Sequence, residues 1–160
     1  KQTYTQLSKK VALSKEAVGR IRKIKQRKES PFSVIAPSKE WIAKNCEINE
    51  NAEEWIKKLP GPYTLILKTK EECVAKNVTP GLTTLGIRIP DYWFSGFVKE
   101  INIPIVSTSV NISGEGFMTS LEDLDDGIKS GVDFVIYEGP RQGKPSKIVD
   151  LTSKAKVIER

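Results

Sequence analysis

The apolar residues of this chain come in runs of four or five, rich in β-branched and aromatic side chains, with longer segments of helical spacing between them. Phe32-Ser33-Val34-Ile35, Thr64-Leu65-Ile66-Leu67, Leu85-Gly86-Ile87-Arg88-Ile89, Ile103-Pro104-Ile105-Val106, Phe134-Val135-Ile136-Tyr137 and Ile148-Val149-Asp150-Leu151 read as strands. Val157-Ile158 reads as a last edge strand. Residues 14–25 carry Ala17, Val18, Ile21 and Ile24 at helical spacing behind Ser14 as N-cap, with Lys15, Arg20, Arg22 and Lys23 on the other face. Pro37-Ser38 opens two further helical pieces, 39–44 and 51–59, and Pro60-Gly61-Pro62 stops the second. Asp91 is placed to cap a helix through Ile101, and Ser120-Leu121-Glu122-Asp123 begins another in the manner of a capping box. This alternation, without internal repeat or long linker, predicts an α/β fold: a single domain over residues 1–160 with a twisted mixed β-sheet packed by helices.

Composition narrows the chemistry. The 160 residues contain no histidine, which removes Ser-His-Asp and Cys-His nucleophile systems and most zinc sites, so protease and zinc-hydrolase functions are excluded. Cys46 and Cys73 form no CxxC pair and are expected as reduced, partly buried thiols. No apolar stretch approaches the roughly 20 residues of a bilayer crossing, so a cytoplasmic protein with no membrane partner is expected. Twenty-six Lys and Arg against 20 Asp and Glu leave a formal charge of +6, which fits an anionic partner such as a nucleotide or RNA and also fits an inert domain.

Three polar clusters follow elements able to hold them rigid. Lys25 and Arg27, spaced i, i+2 at a helix-to-strand turn, either converge on one phosphate or form a solvated basic helix end. Ser107-Thr108-Ser109-Val110-Asn111-Ile112-Ser113-Gly114 follows a strand at an edge where α/β ligands bind, and it offers small donors and acceptors. It is either an anion-accommodating loop or an ordinary Ser/Asn/Gly turn; no GxxxxGK[ST] or GxGxxG sequence is present. Arg88 lies between Ile87 and Ile89, so its guanidinium leaves the sheet opposite to its neighbours and needs a carboxylate, from a ligand or from an internal acid.

Taken in order, these clusters resemble the YrdC family, the threonylcarbamoyl-AMP synthases of tRNA modification. The similarity runs over residues 13–152. Lys25-Gln26-Arg27 matches the KxR motif, Leu59-Pro60-Gly61-Pro62-Tyr63-Thr64-Leu65-Ile66-Leu67 resembles WPGPLTLIL, and the stretch from Val78 through Arg88 to Pro90 resembles VAPGLDTVAVRMP. Ser109-Val110-Asn111-Ile112-Ser113-Gly114 matches SxN-x-SG, and Ser146-Lys147-Ile148-Val149-Asp150 resembles STVVD with Lys147 in place of Thr. The family's opening strand and TxTxYGL loop have only Thr3 and Thr5 as counterparts, so the domain is expected to lack them.

The resemblance implies a nucleotidyltransferase that joins threonine, bicarbonate and ATP into threonylcarbamoyl-AMP and pyrophosphate. It implies Lys25 and Arg27 as catalytic cations and Arg88, Ser109 and Ser146 as threonine contacts. Arg27, Thr84, Asn111 and Thr119 would meet the nucleotide, and Mg2+ would arrive on ATP as substrate rather than in a protein metal site. Partners implied are tRNA or double-stranded RNA and downstream tRNA-modifying proteins. The alternative is a double-stranded RNA or tRNA-binding module without catalysis, to which the +6 charge and the basic face of the first helix would contribute.

Overall fold

The computed structural model describes residues 12–114, 116, 119–140 and 146–158. Thr3, Thr5 and the rest of residues 1–11, and Pro145 ahead of Ser146, lie outside the described residues. The helices are α1 (Lys15–Ile24), α2 (Lys39–Asn45), α3 (Glu50–Lys57), α4 (Trp93–Ile101) and α5 (Asp126–Gly131). The strands are β1 (Ser33–Ile35), β2 (Tyr63–Lys68), β3 (Thr84–Arg88), β4 (Ile105–Ser107), β5 (Lys147–Asp150) and β6 (Lys156–Ile158). They form one sheet in the order β4-β1-β3-β2-β5-β6, with β1 parallel to β3, β2 parallel to β5, and the other neighbours antiparallel, as the mixed-sheet reading requires.

Strand alternation gives the sheet two different faces. Val34, Leu65, Leu67, Leu85, Ile87 and Val149 are buried on one, and the helices supply Val18, Ile42 and Ala52 to the same core. The register places Ser107, Ser33, Gly86 and Ile66 side by side on the opposite face, with Ile35, Arg88 and Thr64 in the next row. That face adds hydroxyls and a guanidinium to its two isoleucines, where the other carries only aliphatic side chains at the paired positions.

Local sequence explains the ends of the elements. Ser14, Ser38 and Asn49 accept from Ala17 N (3.2 Å), Trp41 N (3.1 Å) and Ala52 N (2.8 Å), each satisfying one open donor of a helix N-terminus. Helix α1 ends in a Schellman motif: Arg27 N donates to Arg22 O at 2.9 Å, Gln26 N to Lys23 O at 3.2 Å, and Gln26 takes the left-handed conformation with φ 50°.

Three expectations need correction. Phe134-Val135-Ile136-Tyr137 is not a strand; its side chains are 44–65% exposed and no described strand pairs with it. An apolar β-prone run reports side-chain fit, and a ladder also needs a neighbour. Helix α4 begins at Trp93 behind Tyr92, with no side-chain cap bond from Tyr92 at its N-terminus, so Asp91 is not the cap. The capping box of Ser120 and Asp123 is present but closes a single 3-10 turn, Leu121–Asp123, and α5 starts behind its own cap, Asp125, which accepts from Ile128 N at 2.9 Å.

Candidate functional site

On the polar face of the sheet Arg27, Pro31, Ser33, Thr64, Arg88, Ser107, Thr108 and Ser109 enclose a cavity of about 170 Å³. Its described lining brings two guanidiniums and five hydroxyls to one space and contains no carboxylate. Ser33, Thr64 and Arg88 are held there by β1, β2 and β3, and Ser107 ends β4. Arg88 is the last residue of β3, opposite Ile35, so the strand that buries Ile87 aims the guanidinium into the cavity. Gly86 lies beneath: a Cβ there would stand 2.8 Å from Ser33 Oγ and 3.4 Å from Thr64 Cγ2, so only glycine lets these strands meet under the site without displacing a lining side chain.

Lys25 and Arg27 do not converge. The Schellman turn sends them apart. Lys25 is 5% exposed, and its ammonium donates to Ser109 O (2.6 Å), Asn111 O (2.5 Å) and Asn111 Oδ1 (3.3 Å), using its three donors on one loop. Ser113 N returns a bond to Lys25 O at 3.0 Å, and Ser109 Oγ donates to Asn111 Oδ1 at 2.6 Å. Burial pulls the Lys25 ammonium below its ordinary pKa, and the neighbouring Arg27 charge adds to the effect. The amine thus braces the Ser109–Asn111 loop against α1. Arg27 faces the cavity, with Nε donating to Ser30 O (3.1 Å), Nη2 to Pro31 O (2.6 Å) and its guanidinium carbon 4.8 Å from the Phe32 ring centre.

Of the residues singled out in the sequence, Arg27, Arg88, Ser107, Thr108 and Ser109 line the cavity, while Asn111 and Lys25 support its loop. Thr84 shares the Arg88 face of β3 but sits at the other end of the strand, about 13 Å away at the usual rise. Ser146 is nearly buried just before β5, and Thr119 is an exposed residue whose hydroxyl donates to Asp123 Oδ2 at 3.0 Å; neither lines the cavity. Ser33, Thr64 and Gly86 were missed. Their signal was a polar or absent side chain at the outward position of three strands that pair side by side.

Comparison with known proteins decides the family. The Sua5/YciO/YrdC family model, described as telomere recombination, matches residues 11–160. The chain belongs to the Sua5/YciO/YrdC family. A Methanocaldococcus jannaschii protein, provisionally named a threonylcarbamoyl-AMP synthase, is 37% identical over 147 residues, which are 88% of this chain and 67% of that protein. The threonylcarbamoyl-AMP synthase of Pyrococcus abyssi is 34% identical over 154 residues, 93% of this chain and 45% of its own length. The crystal structure of the Pyrococcus abyssi Sua5 protein complexed with L-threonine superimposes with a TM-score of 0.80 at 32% identity, covering 90% of this chain and 44% of that one. This Sua5/YciO/YrdC chain therefore spans less than half of the Pyrococcus relative. Among its described residues no group of three or more His, Cys, Asp or Glu side chains could hold a metal ion, and no helix is long and apolar enough to cross a membrane.

Proposed function

We propose that this Sua5/YciO/YrdC chain is a threonylcarbamoyl-AMP synthase, converting threonine, bicarbonate and ATP into threonylcarbamoyl-AMP and pyrophosphate. The observation that carries the reading is the cavity itself, with two guanidiniums, five hydroxyls and no acid in its described lining. Such a space suits a small zwitterion whose carboxylate takes the planar fork of Arg88 and whose hydroxyl finds a serine or threonine partner. A cavity of about 170 Å³ has room for an amino acid, and ATP would reach it past Arg27.

The chemistry needs placement of charge more than a strong base. The threonine ammonium releases a proton to solvent, and the amine nitrogen then forms a C–N bond to the carbon of bicarbonate, with water leaving. A carbamate oxygen then attacks the α-phosphorus as the bond to the pyrophosphate oxygen breaks. Arg27, at the cavity edge, is the cation placed to stabilise negative charge gathering on the phosphates, and a site without histidine can perform that role. Mg2+ would enter on the phosphates, because the described lining supplies no carboxylate to hold it.

The test is pyrophosphate release by the chain with ATP, magnesium and bicarbonate, with and without threonine. Threonine-dependent release is expected, and equal release in both conditions would refute the reading. The binding-module alternative keeps Lys15 and Lys23, which stay exposed on the basic helix face, but loses part of that face: Arg20 pairs with Asp133 at 2.9 Å and Arg22 turns onto backbone carbonyls. Binding to tRNA that falls steeply with salt while turnover is absent would favour that alternative.

A further inference from the structure

Arg22 belongs by sequence to the exposed basic face of α1, yet its guanidinium is ringed by five backbone carbonyls from two separate segments. Nε donates to Asn77 O at 2.8 Å and Nη2 to Val78 O at 3.3 Å. Nη1 faces Arg27 O (3.3 Å), Lys28 O (3.0 Å) and Ser30 O (3.2 Å). The Arg22 carbonyl itself accepts the Arg27 N–H that closes the Schellman turn. Phe32 joins the same knot: its N–H donates to Val78 O at 2.9 Å, and its ring lies 4.6 Å from the Arg22 guanidinium carbon and 4.8 Å from that of Arg27.

We propose that Arg22 is a positioning residue for nucleotide binding: it ties the 27–30 turn to residues 77–78 and, through Phe32, fixes the direction of the Arg27 guanidinium at the cavity. This rests on the reading of the cavity as the synthase site and extends it to a residue outside the cavity. The geometry needs arginine. A planar fork of five N–H donors reaches carbonyls on both segments at once, whereas a lysine presents three donors from one point and can serve only one of them. Without Arg22, residues 27–30 would keep the Schellman bonds, and Phe32 N–H would keep Val78 O, but the side-chain bridge that clamps the turn carbonyls to residues 77–78 would be lost. Arg27 would then sample directions that miss the ligand, and a displacement of about 1 Å at such a position costs up to about a hundredfold.

Arg22→Met keeps the stem of the side chain and removes every donor, so the test compares it with the wild-type chain by two readouts. The first needs no ligand: the Arg27 Nε–H resonance, assigned by its disappearance in Arg27→Lys, lies near the Phe32 ring current and should move toward its unstructured position in Arg22→Met. The second is affinity for α,β-methylene-ATP with magnesium, expected to weaken about ten- to a hundredfold in Arg22→Met. It should change little further when the same substitution is made in Arg27→Ala, because a residue acting through Arg27 has nothing left to position. An unmoved Arg27 resonance, or an equal loss of affinity with and without Arg27, overturns the proposal. If the wild-type chain fails to bind the analogue while the resonance moves, the nucleotide reading of the cavity falls and the positioning of Arg27 stands. Should Arg22→Met not fold, Arg22→Lys decides by the same readouts, with an intermediate resonance shift expected and a wild-type resonance refuting.

Discussion

Gly86→Ala separates the stability of the sheet from the use of its polar face. The new methyl would point away from the apolar core, since Leu85 and Ile87 on either side are buried against the helices. It would meet Ser33 Oγ at 2.8 Å, Ser33 Cβ at 3.4 Å and Thr64 Cγ2 at 3.4 Å. The first contact is relieved by turning the serine rotamer, so the cost is that of moderate overpacking, about 1–3 kcal/mol. Replacing a glycine in a strand interior returns about 0.5–1 kcal/mol of chain entropy. A net loss of at most about 2.5 kcal/mol is expected in urea melting, small enough to leave the chain folded. Function should suffer more. A methyl occupies about the share of one water, ~30 Å³, under a cavity of 170 Å³, and it swings one lining hydroxyl away. Threonine affinity, measured by calorimetry and as the KM for threonine in pyrophosphate release, should weaken at least about tenfold, equal to about one lost hydrogen bond plus the steric term. A variant with the expected loss of stability and unchanged threonine affinity would show that threonine binds elsewhere.

Arg88→Lys should lower threonine affinity by about tenfold or more while ATP-analogue affinity and melting temperature stay near wild type, because charge remains and the planar fork is lost; a large loss of stability with threonine binding intact would assign Arg88 to a structural pair. Gln26→Gly should stabilise the chain by about 0.5–1 kcal/mol in chemical denaturation, since Gln26 holds φ 50° at the end of α1; destabilisation would mean that the Gln26 side chain contributes more than its backbone costs. Cys46 is fully buried and its thiol is pushed up to about 12 by burial, with Cys73 adding to the effect. At pH 9 the Cys46 thiolate is then about one part in a thousand, so alkylation by iodoacetamide should reach Cys73 first and Cys46 only as pH approaches 12 or the chain unfolds; equal rates at pH 9 would contradict the buried placement.

Much of the fold was legible because period-two alternation and helix caps are local signals. Ile87 between Gly86 and Arg88, and Ser14, Ser38 and Asn49 ahead of their helices, each report their own neighbourhood. What escaped depends on partners distant in sequence. Residues 134–137 have strand composition and no described ladder neighbour, and Ser33 and Thr64 become site residues only when β3 lies between β1 and β2. The cations escaped for a different reason. A spacing of i, i+2 places Lys25 and Arg27 close in sequence, but the left-handed Gln26 between them turns one into the loop contacts and the other toward the cavity.

The register that builds the core also builds the site. Leu65 faces Ile87 and Val34 faces Ile87 across the two ladders of β3, so all three are buried together. A slip of β3 by one residue would carry Arg88 into that aliphatic face and Ile87 into the polar one. An unpaired guanidinium there would cost several kcal/mol, in addition to the transfer energy of the exposed isoleucine. Selection of the native register by this penalty places Arg88 beside Thr64 and Ser33 beside Gly86 with no further device. It follows that substitutions of the core residues adjoining the site, such as Ile87→Val, should reduce stability by about 0.5–1.5 kcal/mol while leaving threonine affinity unchanged. A fall in affinity as large as that of Gly86→Ala would show that the two faces of the strand are not independent.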